Sequence, residues 1–198
     1  MQGAGIAAAI EAKGLACRRG DRLLFRGLDL KLRAGNGCLV SGPNGTGKSS
    51  LLRLLAGLLR PYTGSVERQG SCALLDENLA LDTERSLRHA LAFWHRLDGA
   101  KQPDAEYEKL SLTPLLEVPV RYLSTGQRKR AGLARLLTSN ANIWLLDEPL
   151  NGLDAEAQSL IEQLVEDHRS GGGICIAASH QSLAMDDART VTLAEFAP

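Results

Sequence analysis

Ser41-Gly42-Pro43-Asn44-Gly45-Thr46-Gly47-Lys48-Ser49-Ser50 is the stretch that decides the fold. Cys38-Leu39-Val40, just before it, is a short apolar run that reads as a strand. After it, Leu51, Leu52, Leu54, Leu55, Leu58 and Leu59 recur at helical spacing, so Ser50 to Leu59 reads as a helix ended by Pro61. Gly42 to Ser49 fits Gly-x-x-x-x-Gly-Lys-Ser, the P-loop pattern. Between a strand and a helix, such glycines let backbone N–H groups curl around phosphate oxygens, and the helix N-terminus adds partial positive charge. Lys48 can then reach the β- and γ-phosphates of a nucleotide, and the Ser49 hydroxyl can ligate magnesium. Gly42, Pro43, Asn44, Gly45, Thr46, Gly47 and Ser50 complete the cradle.

Working outward, Ile143-Trp144-Leu145-Leu146 is a second apolar strand, and it ends in Asp147-Glu148-Pro149. A carboxylate delivered by such a strand beside a phosphate loop suits a metal ligand, the role assigned to Asp147. Glu148, one residue on, is placed to take a proton from attacking water. Upstream, Leu23 to Leu32 alternates as a strand before the tight Ala34-Gly35-Asn36-Gly37 turn, and residues 1–12 read as a frayed lead into a first strand. Asp76 to Leu137 reads as mostly helical, with Leu87, Leu91 and Trp94 on one face, Ala90 beside them, and Pro103, Pro114 and Pro119 as breaks. Ala155 to His168 reads as a helix, and Ile174 to Ala178 as a buried strand running into Ser179-His180. Strands alternating with helices predict an α/β architecture with a mainly parallel sheet.

Composition narrows the function classes. A chain of 198 residues suits one domain with a modest inserted subdomain. Lys plus Arg equals Asp plus Glu, 23 against 23, so no global charge draws the chain to nucleic acid or an anionic membrane. Cys17, Cys38, Cys72 and Cys175 lack Cys-x-x-Cys spacing and read as small buried hydrophobes in a reducing compartment. No stretch approaches the ~20 continuous apolar residues of a membrane span, so a transport role requires another chain to supply the channel.

Leu123-Ser124-Thr125-Gly126-Gln127, shortly before the Asp147 strand, opens a helix rich in Arg128, Lys129, Arg130 and Arg135. It resembles the signature sequence of ATP-binding cassette (ABC) ATPases, with the usual motif order, and the likeness extends over nearly the whole chain. As an isolated pentapeptide it also reads as a helix N-cap. The resemblance implies a P-loop NTPase (RecA-like) core over 1–75 and 138–198, an inserted helical subdomain at about 76–137, and an antiparallel N-terminal β region. It implies ATP and Mg2+ as cofactors and a head-to-tail self-dimer with ATP at its interface. In that dimer Ser124, Gly126 and Gln127 of one copy close the site of the other. Asp154, in Asn151-Gly152-Leu153-Asp154, keeps the family carboxylate of that loop, and His180 matches the histidine that contacts the γ-phosphate.

Two family features differ. The glutamine expected before the helical subdomain, near magnesium and the lytic water, is replaced by Asn78 or Glu77. The aromatic that stacks on adenine is replaced near its place by Arg19, whose guanidinium can stack on a base. Three further segments resemble the ATP-binding subunits of cytochrome c maturation haem-export systems: Phe93-Trp94-His95-Arg96-Leu97, the Leu123–Leu137 helix, and Gly172 to Leu183 with His180-Gln181. The partners so implied are integral membrane transporter subunits, with this chain peripheral on the cytoplasmic face of the inner membrane and touching it only through them. A cassette for another small molecule is the first alternative. A non-transport cassette acting on nucleic acid or ribosomes is the second, but the paired cassettes or coiled-coil insertions usual there are missing, and no nucleic-acid partner is expected.

Overall fold

A computed structural model describes residues 7–99, 104–181 and 183–198. Alternation of apolar and charged residues builds its first sheet. In β2 (Arg22–Arg33), Phe25, Leu28, Leu30 and Leu32 are buried while Arg26, Asp29, Lys31 and Arg33 face water. β2 pairs antiparallel with β1 (Ala9–Arg19), placing Ile10 opposite Leu32 and Cys17 opposite Phe25. β4 (Thr63–Gln69) pairs antiparallel with the other edge of β1. The Ala34–Gly37 turn closes with the Asn36 N–H donating to the Arg33 carbonyl at 2.9 Å.

The second sheet has the order β5-β6-β7-β3-β8. Its strands are β3 (Gly37–Ser41), β5 (Cys72–Leu75), β6 (Ile143–Asp147), β7 (Ile174–Ala178) and β8 (Arg189–Thr192). β6 on β7, β7 on β3 and β3 on β8 are all parallel pairs. Every residue of β6 and β7 is buried, the unbroken apolar pattern of strands covered on both faces. Register sets Val40 and Asp147 level with Ala178, so β3, β6 and β7 deliver their C-terminal ends together. α1 (Lys48–Ala56) buries Leu51, Leu52, Leu54 and Leu55 in the core that holds Leu145, Ile176, Leu15 and Phe25.

The helix after the glycine loop starts earlier and ends sooner than its leucine spacing predicts. It begins at Lys48 and stops at Gly57, whose left-handed conformation (φ 77°) lets its N–H cap the Arg53 and Leu54 carbonyls. Arg68 Nη1 satisfies the Leu55 carbonyl at 2.9 Å. Leu58 is therefore 70 % exposed rather than on the apolar face, and Pro61 is not the terminator.

The chain divides into two units, Met1–Leu74 with Asn142–Pro198, and Leu75–Ala141. The second unit carries α2 (Leu87–Asp98), α3 (Asp104–Lys109) and α4 (Thr125–Thr138), with short 3-10 turns at Thr113–Leu115 and Val120–Tyr122. Residues 76–86 are not helical, which corrects the expectation for that stretch: Asp76 Oδ1 and Asp82 Oδ1 accept from the N–H groups of Asn78 and Glu84, turns that compete with helix. Leu87, Ala90 and Leu91 are buried as their spacing requires, joined by His95. Trp94 is half-buried, donates to the Ala80 carbonyl at 3.0 Å, and lies 3.5 Å beneath the Arg135 guanidinium. Pro114 and Pro119 fall at the starts of the two turns, whereas Pro103 lies outside the described residues. All four cysteines are free, with Cys72 half-buried and the others buried.

α5 (Ala155–Ser170) anchors to the parallel sheet through an aromatic stack. His168 lies parallel to Trp144, ring centroids 3.9 Å apart. A Cβ at position 173 would fall 2.2 Å from His168 Nε2, so only glycine leaves space for the ring. Gly173→Ala is expected to cost about 1–3 kcal/mol through overpacking, read as a lower thermal midpoint; an unchanged midpoint contradicts this packing. Burial also pushes the His168 pKa below its ordinary value of 6.5, with backbone groups of Ile174 and Asn142 opposing. The unfolded state then binds more protons than the folded state beneath pH 6.5, so stability present above it is lost as pH falls through that window. His168→Phe keeps the stack and should flatten the dependence in urea melts between pH 7.5 and 5; a slope equal to wild type rules this histidine out.

Candidate active site

The glycine loop is shaped by two constraints on its backbone. Gly42 has φ 142° and Gly47, the residue before α1, has φ 108°, conformations that L side chains rarely adopt. A Cβ on Gly47 would also sit 3.2 Å from the Phe25 ring. Thr46 ties the loop to itself, its Oγ1 donating to the Pro43 carbonyl at 2.9 Å. Among the described residues no side chain caps the start of α1, and its first turn carries no acid, so its N–H groups remain to face an anion. Asn44 and Gly45 are exposed, and Ser49 and Ser50 are half-buried.

Lys48 is buried within this loop. Its Nζ donates to the Gly42 carbonyl at 2.9 Å and the Pro43 carbonyl at 3.4 Å, and lies 2.9 Å from His180 Nε2. The same His180 nitrogen is 2.6 Å from Asn44 Oδ1 and 3.5 Å from Glu148 Oε1. An ammonium can only donate, so towards Lys48 this nitrogen must accept; towards a carboxylate or a carbonyl oxygen it must donate. One ring nitrogen meets one of these demands at a time. His180 therefore sits at a branch point between the phosphate loop and the carboxylate of Glu148.

Asp147 and Glu148 come to this place by the end of β6. Asp147 is buried there, level with Ala178. Glu148 has φ 47°, a left-handed conformation that costs a non-glycine residue about 1–2 kcal/mol. Its N–H donates to the Ala178 carbonyl at 2.8 Å, and its Oε2 accepts from the His180 N–H at 3.3 Å. The turn thus folds the carboxylate back towards the β7 end instead of letting the chain run on. The described residues include no cluster of three or more His, Cys, Asp or Glu able to hold a metal alone. Ser49 and Asp147 are hard oxygen donors, the kind that Mg2+ takes one or two of while completing its octahedron with phosphate and water.

Other expected site residues hold identifiable local roles. Asp154 caps α5, its Oδ1 accepting from the Ala157 N–H at 2.9 Å. Arg19 is exposed at the end of β1; burial raises the Cys17 thiol pKa, with Ser50 and then the Arg19 charge opposing it. Its neighbour Arg18, which the sequence did not single out, lies 4.8 Å from the Tyr62 ring centroid. In the second unit, Ser124 is the N-cap of α4. Its Oγ accepts from the Gln127 N–H at 3.2 Å while Gln127 Oε1 accepts from the Ser124 N–H at 2.8 Å, a complete capping box. Gly126 follows in the first turn, and the Ser124 O–H proton remains to be donated. Glu77 and Asn78 are both exposed, and the Asn78 N–H donates to Asp76 Oδ1 at 2.9 Å.

The sequence missed the pairing of Asn44 with His180 and it missed Gln158; it named Gln181 only within a family resemblance, without its 3.4 Å bond to Gln158. The identity of His180 pointed to the first only through its neighbours in space. A glutamine on a helix surface, as Gln158 is, or in a loop, as Gln181 is, carries no signal of its own.

Comparison with known proteins adds to this geometry. The ABC transporter family matches residues 25–151. The cytochrome c biogenesis ATP-binding export protein CcmA of Novosphingobium aromaticivorans is 54% identical over 187 residues, 94% of this chain and 96% of that protein. Its namesake from Zymomonas mobilis is 52% identical over 92% of this chain and 83% of its own length. Among solved structures, one described as an inward-facing metal-chelate type ABC transporter has a TM-score of 0.73 at 26% identity, covering 88% of this chain and 73% of that one. An ABC transporter ATP-binding protein from Pyrococcus furiosus shares the fold, with a TM-score of 0.81 at 24% identity over 96% of this chain and all of that one. Among the described residues no helix is long and apolar enough to cross a membrane. The chain belongs to the ABC transporter family as one of its ATP-binding, ATP-hydrolysing subunits, in the group of the cytochrome c biogenesis ATP-binding export proteins.

Proposed function

We propose that this chain hydrolyses ATP to drive the haem-export complex of cytochrome c biogenesis. The observation that carries the chemistry is the cluster of Lys48 Nζ, His180 Nε2 and the Glu148 carboxylate beside one glycine loop. The pathway rests on the relatives' names and on the share of the chain they match. Backbone N–H groups from Gly42 to Ser50 bind the phosphates, and Lys48 leaves its loop carbonyls to neutralise charge on the γ-phosphoryl group. Ser49 and Asp147 would hold Mg2+, which would supply further neutralisation of phosphate charge; Asn78 or Glu77 stands in sequence at the position of the missing glutamine. Glu148 accepts the proton of the attacking water, and His180 turns its Nε2 towards the γ-phosphate. Arg19 offers a flat cation to the base in place of an aromatic ring. Catalysis is mostly positioning and electrostatics.

A second copy completes the site head to tail, with Ser124, Gly126 and Gln127 closing on the γ-phosphate and Asp154 lying in the loop between the copies. The two copies form and separate with the nucleotide, a bistable element of the kind that switches use. Integral membrane subunits receive the motion at the cytoplasmic face of the inner membrane, and no nucleic acid takes part.

Glu148→Gln should lower ATP turnover by at least about 100-fold while size-exclusion chromatography with ATP shows an accumulated dimer. Full retained hydrolysis removes Glu148 from the role of base. Lys48→Ala should weaken ATP binding by about tenfold or more through loss of charge-assisted contacts, measured with a fluorescent ATP analogue; undiminished affinity contradicts the phosphate-loop assignment. Mild-detergent pull-down of the Glu148→Gln protein with Mg2+ and ATP should recover membrane proteins of cytochrome c maturation. Recovery of an unrelated permease or of ribosomes leaves the ATPase chemistry standing and overturns the pathway.

A further inference from the structure

Behind Glu148 and His180, two segments run side by side: 148–154, the loop that follows β6, and 178–181, which runs from the last residue of β7 into the loop after it. Their inner ends are joined by the two bonds already described, from the Glu148 N–H to the Ala178 carbonyl and from the His180 N–H to Glu148 Oε2. Their outer ends are joined by amides. Gln158, on the second turn of α5, donates from Nε2 to the Leu153 carbonyl at 3.1 Å and to Gln181 Oε1 at 3.4 Å. Gln181 donates from its own Nε2 to Asn151 Oδ1 at 3.5 Å, and its backbone N–H is held by Ser179 Oγ at 3.0 Å.

We infer that Gln158 and Gln181 are positioning residues for ATP hydrolysis, forming a directed amide chain that fixes the Asn151–Leu153 loop against the segment bearing His180. The inference rests on the roles proposed for Glu148 and His180. The direction of the chain is set by donor supply. An amide NH2 group has two protons, and Gln158 places both, one in each loop. Gln181 then has its oxygen occupied and its NH2 turned to Asn151. The two bonds that Gln181 makes are long and exposed, each too weak to matter for global stability. Their place gives them leverage. The left-handed turn at Glu148 lies at the start of the loop they hold, and such a conformation persists only where its surroundings over-determine it. With the amide chain cut, the loop keeps its fold but loses one of the constraints that hold the Glu148 carboxylate and the His180 ring in fixed relation.

The test is steady-state ATP hydrolysis by the full chain with Gln158→Met, Gln181→Met and the double variant, assayed below their unfolding transitions. Each single change should lower kcat about 3- to 10-fold, the size of one or two weak hydrogen bonds, with KM for ATP moved less than about twofold. The double variant should be no worse than the poorer single, since a chain cut once is already cut. Gln158→Glu, which keeps the shape but presents acceptors to two acceptors, should lose as much as Gln158→Met. Wild-type kcat in the single variants, losses that multiply in the double, a loss confined to KM, or a fully active Gln158→Glu would each overturn the inference. Amide hydrogen exchange gives a second readout that does not need turnover: Gln158→Met should accelerate exchange in 148–154 and 178–181 together. Acceleration confined to α5 overturns the inference. Glu148→Gln in the same assay separates the two claims. If it hydrolyses ATP normally, the site roles fail; if it alone is inactive and the glutamine variants match wild type, only the amide chain fails.

Discussion

Parallel pairing of β3, β6 and β7, with Val40 and Asp147 both level with Ala178, is the constraint on which the rest of this site depends. Three strands of five residues each cannot reach far beyond their sheet, so whatever follows them must react where they end. β3 ends in the glycine loop, β6 in Asp147-Glu148 and β7 in Ser179-His180. Slipping β6 against β7 by one residue would turn Asp147 to the opposite face of the sheet. The continuous burial of β6 and β7 resists such a slip only by packing, because both faces are apolar. The side chains that do specify the position are few, and the Trp144–His168 stack above Gly173 is one. A structural contact on the α5 side of the sheet thus helps decide which carboxylate stands beside the phosphate loop.

Within that frame the site stores local tension. Glu148 occupies a left-handed conformation, and His180 Nε2 lies within reach of an obligate donor and of two oxygens. Neither feature lowers the energy of the isolated loop. Both make the positions of Glu148 and His180 responsive to charge arriving at Lys48, since drawing the ammonium away changes which partner the ring nitrogen should serve. The polar surroundings therefore work as a set of competing hydrogen bonds, and the outer amides of Gln158 and Gln181 limit how far that competition can displace the backbone.

How much of this could be read from the sequence follows from where each signal lives. The glycine loop and the Asp147 strand were legible because their chemistry needs particular residue types at fixed spacing. β2 was legible through its alternation. The end of α1 was not: leucines at 58 and 59 continue the helical spacing, but the left-handed Gly57 stops the backbone before they can use it. β4 and β5 were missed because their residues are mostly exposed or half-buried and show no clean period. The Asn44–His180 and Gln158–Gln181 pairings join residues far apart in the chain, with separations of 136 and 23 positions, and only the folded register brings them together.

The signature segment illustrates how one short sequence can satisfy two demands. Read alone, Leu123-Ser124-Thr125-Gly126-Gln127 is a helix N-cap, and α4 does use it so, with Ser124 and Gln127 exchanging both bonds of a capping box. Read as an ABC signature, the same Ser124 should face a phosphate. The two roles do not compete for the same atoms. The cap uses lone pairs on Ser124 Oγ and Gln127 Oε1 and the N–H groups of Ser124 and Gln127, whereas phosphate binding needs the Ser124 O–H proton and the N–H of Gly126. Capping also removes the rotameric freedom that Ser124 would otherwise lose on meeting an anion, so the local structural role lowers the entropic cost of the proposed intermolecular one. A substitution that keeps the cap but lacks the proton, or keeps the hydroxyl but loses the cap, would separate two functions that the native residue performs with different parts of one side chain.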